Sequence, residues 1–149
     1  MLLQVKNEIE IEAPAARVWE VLTFSKFTTQ YMFGCEVESD WHEGSSINWK
    51  MQHEGKVIIP VAGFIKEIHP NVKLVYTVID PNSDMEKIPE NYLNVTYDLM
   101  QKDDITVLSV TQDGFEGAAN GQQRYEDVYA NGEGWNPILV QIKALSEDN

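Results

Sequence analysis

Residues 131–149, "NGEGWNPILVQIKALSEDN", decide the fold because they combine a helical pattern with residues that interrupt helices. The apolar side chains recur at helical spacing, at Ile138, Leu139, Ile142 and Leu145. Gly132, Gly134 and Pro137 disfavour a helix at the start of this segment, and Trp135 lies among them. A large aromatic residue in so weak a segment needs a structural reason, which the rest of the sequence supplies.

The same helical pattern extends backward along the chain, because further apolar residues continue its spacing over residues 122–146. Pro137 lacks an amide donor, and its ring crowds the carbonyl of Glu133, so the pattern predicts a kink near Trp135. The alternative is a pair of separate helices, with Pro137 starting the second. Both alternatives fit the residues.

Alternation of apolar and polar residues predicts a β-sheet for most of the chain before that helix. One strand spans residues 3–12, and two short helices follow, one from Pro14 and one over residues 25–32. Six further strands are predicted at 33–41, 47–52, 57–68, 74–79, 92–100 and 105–112. Short turns imply antiparallel neighbours, and such a sheet needs cover on one face. The last helix is the only predicted element long enough to provide it.

The charge balance limits the partners that the chain can bind. Its 149 residues include 24 acidic and 11 basic ones, a formal net charge of −13, and fit one domain over residues 1–149. The negative field disfavours nucleic acid and anionic membranes, whereas a neutral or cationic small ligand is compatible. Residues 1–13 resemble neither a signal peptide nor a membrane span, and Cys35 is the single cysteine. A cytoplasmic location is therefore expected.

Asn7 interrupts an otherwise apolar face of the first strand, between Val5 and Ile9. An amide in that position must find hydrogen-bond partners or destabilise the fold by roughly 1–3 kcal/mol. The preferred interpretation is structural, with the amide bonded to the last helix, to a bulge or to a buried water. Contact with a bound ligand is the alternative.

Four stretches carry a resemblance to a known family. They are "IEIEAPAARVWEVLT" at 9–23, "GFIKEIHPNVKLVYT" at 63–77, "VTYDLMQKDDITVLSVTQDGF" at 95–115 and "GWNPILVQIKAL" at 134–145. Together they resemble the START-like (SRPBCC) superfamily, in the branch named for the activator of the heat-shock chaperone ATPase. The Gly134–Trp135 pair, followed by a helix with Leu and Lys, is the most distinctive piece.

The resemblance implies an α+β helix-grip fold, in which a curved antiparallel sheet of about seven strands (β-α-α-β6-α) wraps around a long C-terminal helix. It also implies a deep cavity between sheet and helix, which relatives use for lipids, sterols, polyketides or other apolar molecules. Chaperone binding belongs to only some of these relatives. No cofactor is implied.

Inward positions of the strands and of the last helix, with one loop residue, are the candidates for contact with a ligand. They are Trp49, Met51, Tyr76, Val95, Tyr97, Phe115, Tyr125, Val128, Tyr129 and Trp135. Aromatic residues with polar tips suit a pocket because they combine apolar area with one hydrogen bond. Ordinary core packing explains each of them as well.

Alternate connections of a meander fall at the same end of a sheet, so the loops at 52–56, 81–91 and 113–121 lie together. These loops are long and variable in type, which makes that end the predicted mouth of the cavity. The predicted rim residues are His53, Met85, Ile88 and Phe115.

No catalytic or metal-binding pattern appears in the sequence. His42, His53 and His69 each fall in a predicted turn, without the clustered His and Cys spacing of a metal site, so no metal is expected. Cys35 is predicted to be a small buried apolar residue rather than a nucleophile. The sequence assigns no catalytic residue.

Three functions fit these observations, and binding of a small hydrophobic or aromatic molecule is favoured. The first alternative is a cyclase, aromatase or hydrolase that uses the same cavity, with Tyr97, Tyr125, His53 or Asp98 orienting a substrate. The second is a chaperone-regulating or other protein-interaction domain with an exposed apolar patch. Both a monomer and a homodimer are compatible with the sequence.

Overall fold

The computed structural model describes residues 3–148. The strands are β1 (Gln4–Ile11), β2 (Glu36–Ser39), β3 (Ser46–His53), β4 (Lys56–His69), β5 (Lys73–Val78), β6 (Leu93–Lys102) and β7 (Ile105–Asp113). The α-helices are α1 (Ala15–Thr23), α2 (Ser25–Tyr31), α3 (Gly121–Tyr129) and α4 (Asn136–Glu147). Within these residues the seven strands form one antiparallel sheet in the order β1-β7-β6-β5-β4-β3-β2. The predicted helix-grip architecture is confirmed, and the predicted order of elements holds through β7.

The second strand is shorter than the alternation predicted. The alternation predicts Phe33 and Trp41 inside this strand, but both have left-handed backbone angles, with φ of 53° and 56°. A strand needs negative φ throughout, so β2 is confined to the four residues between these turns. It lies at the edge of the sheet and pairs only with β3. A short edge strand of this kind offers few unpaired groups to other chains.

Two bulges in β4 curve the sheet. Residues 58–61 of β4 lie opposite residues 49–51 of β3, so β4 uses one residue more than its partner over this interval. Pro60 lies inside that bulge, where the amide hydrogen that proline lacks is not needed for the ladder. A second extra residue occurs between Ile65 and Glu67, opposite β5. Bulges bend a strand and increase its twist, so this half of the sheet turns away from a flat surface.

The helices cover one side of the curved sheet. Helix α4 packs against β1, α1 and α2, whereas α3 contacts β1 and the turn that joins it to α4. The predicted stripe of α1 is largely inside, with Ala15, Val18 and Leu22 buried. None of the helices in residues 3–148 has the length and hydrophobicity needed to span a bilayer.

The C-terminal segment divides into two helices, so the expected kink near Trp135 is wrong and the alternative holds. Helix α3 ends where Ala130 and Asn131 adopt left-handed angles, with φ of 48° and 57°. Pro137 then stands in the first turn of α4, where a missing amide hydrogen breaks no helical bond. The interruption therefore separates two short rigid helices.

Asn7 fixes the position of this interruption. Its Oδ1 atom accepts a hydrogen bond of 2.9 Å from the amide of Trp135, and its Nδ2 atom lies 3.5 Å from the carbonyl oxygen of Glu133. Gly134 passes directly over the same side chain with a φ of 52°. The preferred structural interpretation of Asn7 is therefore the observed one.

Gly134→Ala should destabilise the protein more than Gly44→Ala, a matched control with a left-handed φ of 88° and open space around it. A Cβ atom at residue 134 would lie 2.4 Å from Asn7 Oδ1. Backbone strain costs about 1–2 kcal/mol at either glycine, and disruption of the Asn7 bond adds about 1–3 kcal/mol at residue 134 alone. Urea unfolding measures both variants, and equal losses would contradict the proposed role of the Asn7 contact.

Candidate functional site

A cavity of about 710 Å³ separates the curved half of the sheet from α3 and the start of α4. Its size falls within the roughly 300–1,000 Å³ typical of small-molecule sites. Apolar groups from four strands form one wall: Trp49 and Met51, Pro60 and Val61, Tyr76 and Val78, and Val95. The opposite wall comes from Val128, Trp135, Pro137 and Ile138. The two layers therefore do not mesh over this region.

The floor of the cavity is one row of side chains that crosses three strands. Tyr76 pairs with Val95, and Val95 pairs with Gln112, so the three project from the same face of β5, β6 and β7. All three are buried within the protein and line the cavity. Ile65 and Val5 continue the row on either side. Gln112 is thus a polar side chain between two apolar members of the row.

Trp135 enters the site between the two layers and is held at three points. Its amide donates to Asn7, and its indole Nε1 donates to Gln112 Oε1 over 3.0 Å. Its ring is nearly perpendicular to that of Tyr97, with the ring centroids 6.0 Å apart at 85°. Such perpendicular aromatic pairs are favourable beyond their buried area. This answers why a large aromatic residue occupies a segment with so little helical propensity.

Three tyrosine hydroxyls lie buried beside the floor. The hydroxyls of Tyr76 and Tyr97 are 3.0 Å apart, and Tyr31 donates to the carbonyl oxygen of Leu22 over 2.7 Å. Burial raises the pKa of all three phenols above their ordinary value of 10.0, and the proximity of Tyr97 raises the pKa of Tyr31 and Tyr76 further. These phenols are neutral hydrogen-bonding groups near neutral pH, because a buried phenolate would lack the hydration that stabilises its charge in water.

Charged side chains stand at the opening rather than on the floor. Asp80, Asp127 and Glu133 are exposed and lie among the lining residues, together with one cation, Arg124. Arg124 donates from Nη1 to the carbonyl oxygen of Asn91 over 2.8 Å, and partial burial lowers its pKa. Three carboxylates against one guanidinium leave the opening with net negative charge near neutral pH.

Six of the ten predicted contact residues lie together around this cavity. They are Trp49, Met51, Tyr76, Val95, Val128 and Trp135. The other four lie elsewhere in the structure. Tyr97 lies in the next cross-strand row of the same sheet face, in contact with Tyr76 and Trp135 but outside the lining. Tyr125 packs between Phe115 and Tyr129, with centroid distances of 5.4 Å and 5.6 Å, outside the lining.

The predicted rim residues do not border the cavity, although the opening lies at the predicted end of the sheet, next to the end of β5. Phe115 is 0% exposed, because the chain folds it under Tyr125 rather than leaving it on a loop. Met85 is turned toward Arg124, whose Nη1 lies 3.2 Å from its sulfur. His53 and Ile88 are exposed outside the lining. Met32 and Phe33, which follow α2, border the opening instead.

Sequence reasoning missed two features of the site that carry recognisable patterns. Gln112 shares the alternation of Leu108 and Val110, so it interrupts an apolar face as Asn7 does. Pro60 inside a predicted strand is a bulge signal.

The residues considered for catalysis do not converge on the cavity. His53 is exposed on the β3–β4 hairpin, and Asp98 alternates with Tyr97 and so faces the outside of the sheet. Cys35 lines the cavity, but burial raises the pKa of its thiol, which favours the unreactive protonated form. Within residues 3–148 no group of three or more candidate ligands for a metal ion comes together.

Comparison with known proteins identifies relatives of the whole chain. A family model described as Activator of Hsp90 ATPase homolog 1-like protein matches residues 12–147. The solution structure of a protein from Cytophaga hutchinsonii is 34% identical, with a TM-score of 0.68 over 96% of this chain and 91% of that chain. No match is found among the curated proteins.

Two further solved structures share the fold at lower identity. A crystal structure from Nitrosomonas europaea is 18% identical, with a TM-score of 0.71 over 96% of this chain and 93% of that chain. The Aha1 dimer from Colwellia psychrerythraea is 15% identical, with a TM-score of 0.67 over 97% of this chain and 96% of that chain. These likenesses concern the fold alone.

The buried phenols should make stability fall at alkaline pH. Because their folded pKa lies above the ordinary 10.0, their contribution is intact below that pH and is lost as the unfolded chain releases protons above it. Above that pH, each such phenol lowers the free energy of unfolding by about 1.4 kcal/mol per pH unit. Urea unfolding of the wild type and of Tyr76→Phe, from about pH 8 to about pH 11, should show a shallower decline for the variant. Parallel curves would contradict the assignment.

Proposed function

This chain belongs to the Activator of Hsp90 ATPase homolog 1-like family, a branch of the START-like helix-grip superfamily, and we propose that it binds a small hydrophobic or aromatic molecule between its sheet and its C-terminal helices. The family and fold fit a ligand-binding domain in general. The observation that carries the proposal is the cavity of about 710 Å³ with a predominantly apolar lining. A guest would remove this lining from water, at about 25 cal/mol per Å² of apolar surface.

The distribution of polar groups favours binding over proton transfer. The interior offers neutral donors and acceptors, namely the amide of Gln112 and the hydroxyl of Tyr76, whereas the carboxylates stand at the opening. A general acid or base needs a pKa near the working pH, and the raised pKa of the Tyr76 phenol moves it away from that range. Enclosure of a guest, held by a few hydrogen bonds, is the chemistry that these groups perform best.

Chaperone regulation is the second candidate, and the description of the family model supports it. Phe64 is 48% exposed on the outer face of the sheet, where its ring centroid lies 5.8 Å from that of Tyr92. If the chain regulates a chaperone, it should raise the ATPase rate of purified Hsp90. Phe64→Ser should reduce this stimulation, because it removes the exposed aromatic ring. An unchanged ATPase rate at saturating chain would remove this candidate. The chain acts as a monomer or a homodimer in either role.

Nile red, a neutral apolar dye, should bind the purified chain saturably and with a blue-shifted emission. Val128→Trp should weaken its binding by at least about 10-fold, because the larger side chain enters the cavity from α3. Val57→Trp is the matched control, since Val57 is 61% exposed and lies outside the lining. Fluorescence titration measures all three proteins. Absence of saturable binding, or equal binding by both variants, would overturn the proposal.

A further inference from the structure

We propose that the cavity is built for a neutral molecule with a carbonyl or similar acceptor oxygen, and that this oxygen binds the Nε2 atom of Gln112. The inference rests on the proposed binding function and adds the chemical class of the guest. Gln112 is only 6% exposed, belongs to the floor of the cavity and lies among apolar neighbours. Its amide is therefore the feature of the floor that selects among guests of similar shape.

The orientation of the Gln112 amide follows from its partner. An indole N–H only donates, so the atom 3.0 Å from Trp135 Nε1 must be the oxygen of the amide. The Nε2 group then points away from Trp135. Within residues 3–148 Nε2 has no hydrogen-bond partner, yet it is not among the fully enclosed polar atoms that lack one. It therefore borders the open space of the cavity, with its two donor hydrogens available.

The surroundings of Nε2 call for an acceptor on the guest. Val95 and Val5 flank Gln112 in the cross-strand row and offer no oxygen from their side chains. The hydroxyl of Tyr76, two strands away in the same row, is already bonded to Tyr97. A buried donor without a partner is costly, and a guest that supplies an acceptor removes that cost. A guest hydrocarbon of the same shape would leave the donor unpaired.

The charges around the opening make a neutral guest the better fit. Asp80, Asp127 and Glu133 outnumber Arg124, and Arg124 already donates to the backbone of Asn91. The chain as a whole carries a formal charge of −13. The negative charge around the opening would repel a carboxylate. Inside the cavity the carboxylate would also lose its hydration, and the uncharged amide donor would not compensate for that loss. A ketone gains the same hydrogen bond without that loss.

Three probes of one shape separate these contributions: 2-acetylnaphthalene, 2-ethylnaphthalene and 2-naphthoate. Dissociation constants are measured for the wild type, for Gln112→Met and for Gln52→Met, in which an exposed glutamine outside the lining undergoes the same change. We expect the preference of the wild type for the ketone over the hydrocarbon to fall about 10- to 100-fold in Gln112→Met. Gln52→Met should retain it, and 2-naphthoate should bind at least about 10-fold more weakly than the ketone.

The ratio between two probes isolates the hydrogen bond, because any general distortion of the cavity in Gln112→Met weakens both. If that variant fails to fold, infrared spectroscopy of 2-acetylnaphthalene bound to the wild type provides the test. A hydrogen bond to the ketone shifts its carbonyl stretch to lower frequency. An unchanged ratio, an unshifted stretch or preferred binding of 2-naphthoate would overturn this inference alone, provided that Nile red still binds. Failure of Nile red and of every probe would instead overturn the proposed binding function.

Discussion

The contact between Asn7 and the backbone of residues 133–135 is the constraint on which the rest of the structure depends. It joins the first strand to the break between the last two helices, more than a hundred residues later in the chain. Without a Cβ atom, Gly134 lets the backbone lie against the amide of Asn7. Trp135 must then point toward the sheet, where Gln112 and Tyr97 receive its ring. One amide side chain thus determines where α4 begins and where the indole lies.

The cavity exists because two features keep the layers apart. The bulges in β4, one of them around Pro60, curve the outer half of the sheet, so it does not lie flat against the helices. On the other side of the cavity the indole of Trp135 lies between α4 and the sheet, in contact with the ring of Tyr97. Because an aromatic ring is rigid, the indole keeps the helix and the sheet apart better than a flexible aliphatic side chain would. Local backbone irregularity and one well-supported ring together maintain the open space.

Much of the fold was predictable because its patterns are local. Period-two alternation indicates all seven strands within a few residues. The polar interruption at Asn7 favours a structural partner, and the last helical segment is the one of its open alternatives that the structure shows. The site was less predictable. Alternation indicates the face of the sheet to which a side chain points, but it does not show whether that side chain meets another residue or a cavity. Phe115 illustrates this limit: its place in a loop suggested exposure, yet distant residues cover it completely. Gln112 was missed although it interrupts an apolar face in the same way as Asn7.

The break between α3 and α4 divides the roof of the cavity into two parts with different freedom to change. Helix α4 is tied to β1, α1 and α2, so its substitutions affect the integrity of the whole protein. Helix α3 packs mainly against β1, the joining turn and loop residues such as Phe115 and Asn91, and it supplies Val128 to the wall. Descendants of this sequence can therefore diversify α3 to suit new guests while the framework that supports it stays constant. Within such a lineage, selectivity evolves more easily than architecture.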